Sequence, residues 1–231
     1  MAIHDGHRGR LKERFLNEGL DYFTDIQVLE LLLFYCIPRR DTNELAHRLL
    51  ERFGSLSQVL DARVEDLMQV EGIGENAALF LTLIIATGRY YEVDKNSDYK
   101  QLQSVAEFGQ YLVPRFHNRT QETVFLLSLD AKCKVLNCQM VGVGSVNSAG
   151  VPIRRVVEMA LAANASMVVL AHNHPSGLAL PSREDVATTQ RLAAALETVD
   201  VVLVDHLVVA DDDYVSLVQS GYYRPGTATP F

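Results

Sequence analysis

The segment Ser166-Met167-Val168-Val169-Leu170-Ala171 limits most sharply what this chain can fold into. An apolar run this short, rich in β-branched residues, reads as a buried strand. Pro175 has no amide hydrogen to give a sheet ladder, so the strand ends before it. His172 and His174 fall at that end. Residues two apart in a strand face the same way, roughly 7 Å apart along it. The two imidazoles therefore stand on one face at the rim of a sheet and can converge on one ion.

Downstream, Pro181-Ser182-Arg183-Glu184-Asp185 opens a helix. Ser182 has the character of an N-cap, and Asp185 follows three residues later at capping-box spacing. That places a carboxylate in the first helical turn, able to swing toward the strand end. Two histidine nitrogens and one carboxylate oxygen make a three-ligand set for one divalent ion per chain, zinc by preference, with a fourth position kept for water. Each piece alone has a plainer reading: a polar strand rim, a helix cap. Pro175, Ser176 and Gly177, shaping the loop between them, favour the joint reading as a metal site. Hydrolysis would also need a base. Glu122, which opens the strand Thr123–Leu129, is the candidate; an exposed glutamate at a strand start is the equal alternative.

The other elements fit a mixed domain around this strand. Thr123–Leu129 and Lys134–Val143 form a hairpin across a short polar turn. Pro152–Asn164 is helical with Pro at its opening, and so is Ser182–Thr198. Val199–Val209 and Tyr214–Val218 make a second hairpin across Asp211, Asp212 and Asp213. Strands on one sheet with interposed helices give an α/β or α+β domain. The last dozen residues, with Gly221, Pro225, Gly226 and Pro230, have the look of a loose tail.

The first ninety residues are helical by their apolar spacing: Leu29, Leu32, Leu33, then Leu45, Leu49, Leu50. Pro38 breaks the first helix and Gly54 ends the next. Asp61 would cap a short helix through Val64, Leu67 and Met68. Glu75–Tyr91 is a longer helix preceded by Gly72 and Gly74. The stretch from Glu92 to Ser104 is polar and patternless. We therefore expect a helical domain over 1–92, a linker over 93–104 and the mixed domain over 105–231.

Composition narrows the function. The formal charge is −8 and the pI about 5.3, which opposes a chain whose main task is coating nucleic acid. Met1–Phe15 is polar and basic with no apolar core, so no secretory leader is expected. The longest apolar runs, near Leu31–Ile37 and Leu79–Ala86, are far shorter than the roughly 18 residues of a membrane span. Cys36, Cys133 and Cys138 lack CxxC spacing and read as reduced, packed thiols of a cytoplasmic protein.

The pattern His172-x-His174, seven residues, Ser182, two residues, Asp185, with Glu122 upstream, resembles the JAMM (MPN+) metalloprotease motif. The fuller His172-Asn173-His174-Pro175-Ser176-Gly177 with Pro181-Ser182-Arg183-Glu184-Asp185 resembles the bacterial RadC family. So do Gly6-His7-Arg8 with Arg10-Leu11, Ile37 through Asn43, and Val70-Glu71-Gly72-Ile73-Gly74. The resemblance implies a JAMM/MPN-type mixed sheet with flanking helices, preceded by a small all-α helix-hairpin-helix-like domain. It implies zinc on His172, His174 and Asp185, with Glu122 as general base and then acid. Ser182 would hydrogen-bond the oxyanion, and Asn173 with the Pro175–Gly177 turn would shape the loop. JAMM relatives hydrolyse peptide or isopeptide bonds; RadC relatives take their name from DNA repair. Many RadC sequences have His-Pro-Arg-Glu where this chain has Pro152-Ile153-Arg154-Arg155. A base thus replaces a carboxylate at Arg155, which removes one rival to Glu122. The adjacent letters His-Asn-His are not the dispersed triad of HNH nucleases.

In the helical half, Gly72, Ile73 and Gly74 before a long helix resemble a helix-hairpin-helix turn, whose backbone N–H groups can approach a phosphate. A turn used only for packing is the alternative, and the residues that follow lack Lys or Arg. Arg8, Arg10, Lys12 and Arg14 form the only dense basic run, either a phosphate clamp or a solvated helix face. His206 reads as a histidine of the core or one behind the ligands, and His4, His7, His47 and His117 as surface or packing residues. Three functions follow: a zinc hydrolase acting on a protein or peptide; a DNA-associated accessory protein with a structural metal and weak DNA contact; and, more weakly, a metal-dependent nuclease.

Overall fold

A computed structural model describes residues 3–38, 40–95, 101–144 and 152–226. Arg39, residues 96–100 of the expected linker, the tail after residue 226 and the side chain of His4 lie outside the described residues. The chain divides into two compact units, Met1–Gly88 and Arg89–Phe231.

The first unit is helical: α1 (Ile3–Glu18), α2 (Asp25–Cys36), α3 (Asn43–Phe53), α4 (Leu56–Leu60), α5 (Val64–Leu67) and the start of α6 (Glu75–Lys95). Thr24 and Gln27 form a reciprocal capping box at α2, and Gly54, with φ +94°, ends α3. The leucines of the periodic pattern, Leu29, Leu33, Leu45 and Leu49, meet Leu67 and Leu81 in one core. Two expectations change. Asp61 does not cap α5, whose N-cap is Arg63; Asp61 closes the C-terminus of α4 instead. The long helix continues past Tyr91 to Lys95.

The second unit is a mixed five-stranded sheet between helices. Its strands are β1 (Thr123–Leu129), β2 (Val135–Val143), β3 (Met167–Asn173), β4 (Val202–Ala210) and β5 (Asp213–Ser216), in spatial order β2-β1-β3-β4-β5. Only the β3–β4 pair is parallel. α7 (Val105–Leu112) packs on one face with Leu127, Val169 and Leu207. α8 (Ile153–Ala162) and α9 (Arg183–Glu197) pack on the other with Leu126, Leu170 and Val208. Every residue of β3 is buried, as its unbroken apolar run requires when helices cover both faces. The strand runs two residues beyond the expected Ala171, so His172 lies within it.

Leu102, inside the segment expected as linker, is fully buried in this unit, and Gln101 bridges to Lys134. The start of the expected loose tail is also tied down: Tyr223 is buried and its hydroxyl donates to Leu203 O. Among the described residues, no helix is long and apolar enough to cross a membrane. The three cysteines are free thiols.

Gly109 of α7 sits against the Tyr214 ring so closely that a Cβ there would come within 2.2 Å of ring carbon. Alanine favours helix over glycine by about 1 kcal/mol, but overpacking a fitted site costs about 1–3 kcal/mol. Gly109→Ala is therefore expected to destabilise the protein by up to about 2 kcal/mol net, read from denaturant unfolding; a raised midpoint would refute the contact.

Candidate metal centre

The sheet register assembles the site. Val124 of β1 pairs with His172 of β3, and because alternate residues share a face, Glu122, His172 and His174 project toward the side covered by α9. His206 of β4 lies on the same side, paired at its backbone with Leu170. The first turn of α9 brings Asp185 over this cluster. Ser182 and Asp185 form the full reciprocal box: Ser182 Oγ accepts from Asp185 N at 3.1 Å, and Asp185 Oδ2 accepts from Ser182 N at 2.8 Å. The Ser182 hydroxyl also donates to Asp185 Oδ2, at 2.7 Å.

His172 Nε2 and His174 Nε2 are 3.0 Å apart. Asp185 Oδ1 is 3.3 Å from the first and Oδ2 is 3.5 Å from the second. His174 Nδ1 donates to Leu178 O at 3.1 Å, and His172 Nδ1 is engaged by His206 Nε2 at 2.8 Å. A neutral His174, with Nδ1 donating to Leu178 O, presents its Nε2 lone pair to His172 Nε2 and the Asp185 carboxylate. Two imidazole nitrogens and a carboxylate gathered this closely have the chemistry of a divalent-metal donor set. Burial pushes the His172 pKa down to about 4 despite the nearby Asp185 charge. The hydrogen bond to Asp185 raises that of His174 above the ordinary imidazole value. Burial alone would raise Asp185, but His174, His172 and the Ser182 hydrogen bonds together hold it below the usual carboxylate range.

A second carboxylate borders the pair. One oxygen of Glu122 and one ring nitrogen of each histidine all lie within 4.8 Å of one another. Glu122 is half-buried, whereas Asp185 is 1% exposed. Asn173, between the two histidines in sequence, points to the opposite face. There its Oδ1 accepts from Thr123 N at 2.7 Å, and its Nδ2 donates to Gln121 O and Arg119 O at 3.3 and 3.4 Å. Asn173 therefore holds the backbone that carries Glu122, a different task from the loop shaping expected of it. Pro175, Ser176 and Gly177 do form the exposed turn after β3, closed by Gly177 N donating to His174 O, with Gly177 at φ +81°. Arg155, on α8, is exposed. A groove of about 790 Å³ lies elsewhere, lined by Glu197, Val202 and Tyr222, and shares no lining residue with the histidine cluster.

In the helical unit, Gly72 has φ +94° and its Cα faces Leu45, while the Ile73 side chain is buried in the core. Gly74 is exposed just before α6. The basic run is largely occupied within the unit. Arg8 donates to Ile37 O and Arg40 O and lies over the Phe34 ring; Arg14 binds Glu18 and Tyr22 O; Lys12 lies over the Tyr35 ring. Two of the histidines read as surface or packing residues lie close to carboxylates: His7 Nε2 is 3.0 Å from the buried Glu30, and His117 Nε2 is 3.0 Å from Asp212.

Residues 102–222 match the family described as RadC-like JAB domain, and residues 6–79 the family described as UPF0758 N-terminal. The chain belongs to the RadC family. Its relatives include a UPF0758 protein of Fusobacterium nucleatum, 31% identical, with the match spanning 94% of this chain and 97% of that protein. One from Paraburkholderia xenovorans is 35% identical over 91% of this chain and 83% of its own length. One from Saccharophagus degradans is 34% identical over 96% of this chain and all of the relative. The fold agrees with this membership: a helical N-terminal region, then a JAB/MPN-type α+β sheet with flanking helices, carrying a Glu–His–His group suited to a metal.

The donor set yields a direct expectation. Dialysed against zinc and assayed by atomic emission, the wild-type chain should retain about one equivalent, and His172→Ala and Asp185→Ala should retain little. Equal retention in all three would discard this donor set.

Proposed function

We propose that this chain is a zinc-dependent amide hydrolase acting on peptide or isopeptide bonds. The reading is carried by the convergence of His172, His174 and Asp185 within 3.5 Å, with the Glu122 carboxylate beside both histidines. His172, His174 and Asp185 would hold the ion. Asp185 suits the ligand role because it is buried and fixed by its capping bonds. Glu122, half-buried at the start of β1, has room to meet a substrate. When bound, the ion supplies Lewis-acid polarisation of an oxygen atom.

The chain's own residues do the rest. Glu122 takes a proton from the attacking water and delivers it to the departing amine. Asn173 keeps Glu122 in place through the backbone of residues 119–123. Ser182 would donate to the carbonyl oxygen as negative charge grows on it. Its hydroxyl proton now serves Asp185 Oδ2, so Ser182 must turn for that role while its backbone N–H keeps hold of the carboxylate. The surroundings favour an amide over a phosphodiester. A Cβ on Gly177 would lie 3.7 Å from Asp211 Oδ2, Asp212 follows it, and the chain carries −8 overall. A polyanionic substrate would meet repulsion there. The free thiols agree with a cytoplasmic setting.

Glu122→Gln separates base from ligand. With zinc-loaded protein and a panel of fluorogenic peptide and isopeptide substrates, turnover should fall about 10²–10⁴-fold while bound zinc stays at the wild-type level. Loss of zinc in this variant would instead make Glu122 a ligand, and undiminished turnover would remove it from the chemistry.

A further inference from the structure

Behind the two histidines runs a chain of hydrogen bonds whose protons can be assigned one by one. Thr189 Oγ1 lies 2.6 Å from Asp185 O, within α9. A carbonyl only accepts, so the single hydroxyl proton of Thr189 points there. The same Oγ1 lies 2.6 Å from His206 Nδ1, and with its proton committed it must accept. His206 Nδ1 therefore carries hydrogen. His206 is fully buried, surroundings that disfavour a charged ring, so its Nε2 is a lone pair. That lone pair meets His172 Nδ1 at 2.8 Å, so His172 is protonated on Nδ1 and bare on Nε2. The bare Nε2 is the atom 3.3 Å from Asp185 and 3.0 Å from His174.

The geometry points to Thr189 and His206 as a tautomer relay: together they fix the proton of His172 on Nδ1 and so keep its Nε2 lone pair directed at the metal position. This assignment rests on the metal-site reading above. His206 and Thr189 are positioning residues here; neither touches the substrate. Reversing one link reverses all of them. Without the Thr189 oxygen, His206 Nδ1–H faces no acceptor within this chain of contacts. The ring then gains by moving its proton to Nε2, which places a donor against His172 Nδ1 and drives the His172 proton to Nε2, where it blocks the ion. Partners behind a ligating histidine generally change metal affinity by about 10–100-fold.

The test uses the full chain and zinc alone. Long-range ¹H–¹⁵N correlation spectra of the metal-free wild type should show His172 and His206 both protonated on Nδ1. Zinc affinity, measured by competition with a chromophoric chelator, should fall about 10–100-fold in Thr189→Val, with the His172 proton shifted to Nε2. Thr189→Ser, which keeps the hydroxyl, should restore both readings. Thr189→Val changes little volume, so it remains decisive even if His206→Ala fails to fold. Wild-type spectra with His172 protonated on Nε2, or a Thr189→Val variant that binds zinc as tightly as wild type, would overturn the relay alone. A wild-type chain that takes up no zinc would overturn the reading of the site itself, and with it this role for His206.

Discussion

Burial of β3 on both faces is the constraint that organises the second unit. A strand without a solvated side can end in polar groups only if protein atoms satisfy them, because an unpaired buried donor or acceptor costs about 1–3 kcal/mol. His172 is 1% exposed and His206 fully buried, and their nitrogens are matched along the sheet and to α9. Parallel pairing of β3 with β4 brings these rings alongside each other, and antiparallel pairing with β1 brings Glu122 to the same rim. The sheet therefore supplies the histidines and the glutamate together, and the helix that returns the chain from β3 to β4 supplies the aspartate.

The two carboxylates at this rim differ in surroundings more than in chemistry. Asp185 is enclosed and held by backbone and side-chain donors, which favour a permanent charge. Glu122 stands half in solvent on a strand whose backbone is secured from the far side by Asn173. Side chains of one type diverge in task when one is fixed and the other can approach a reacting atom. Asn173 achieves its separation by parity alone. Sitting between two residues of one face, it belongs to the other, and there it braces the segment that carries Glu122.

Much of this was legible in the sequence because it depended on short-range rules. The Ser182–Asp185 box, the end of β3 near Pro175 and the leucines of α2 and α3 follow from capping, ladder chemistry and helical period. What stayed hidden depended on contacts distant in sequence. Thr189 looks like any helical threonine until α9 is laid over β4. His206 was recognisable as interior, but its partner could be found only from the β3–β4 register. Asp61 has the character of an N-cap but serves at the end of the preceding helix, because the next helix opens two residues later, at Arg63. Leu102 and Tyr223 sit in polar, patternless stretches, where a single buried side chain leaves no periodic trace.

One carboxylate oxygen, Asp185 Oδ2, closes the N-terminal turn of α9 and also faces His174. The opening of a long helix and the wall of the ion's cradle are thus a single piece of structure. If that turn frays, the aspartate swings away with it; if the aspartate is drawn toward an ion, the turn is cinched shut. An occupant would act as a rivet between sheet and helix, and its binding free energy would appear as resistance of the whole unit to unfolding, growing with the logarithm of free ion concentration.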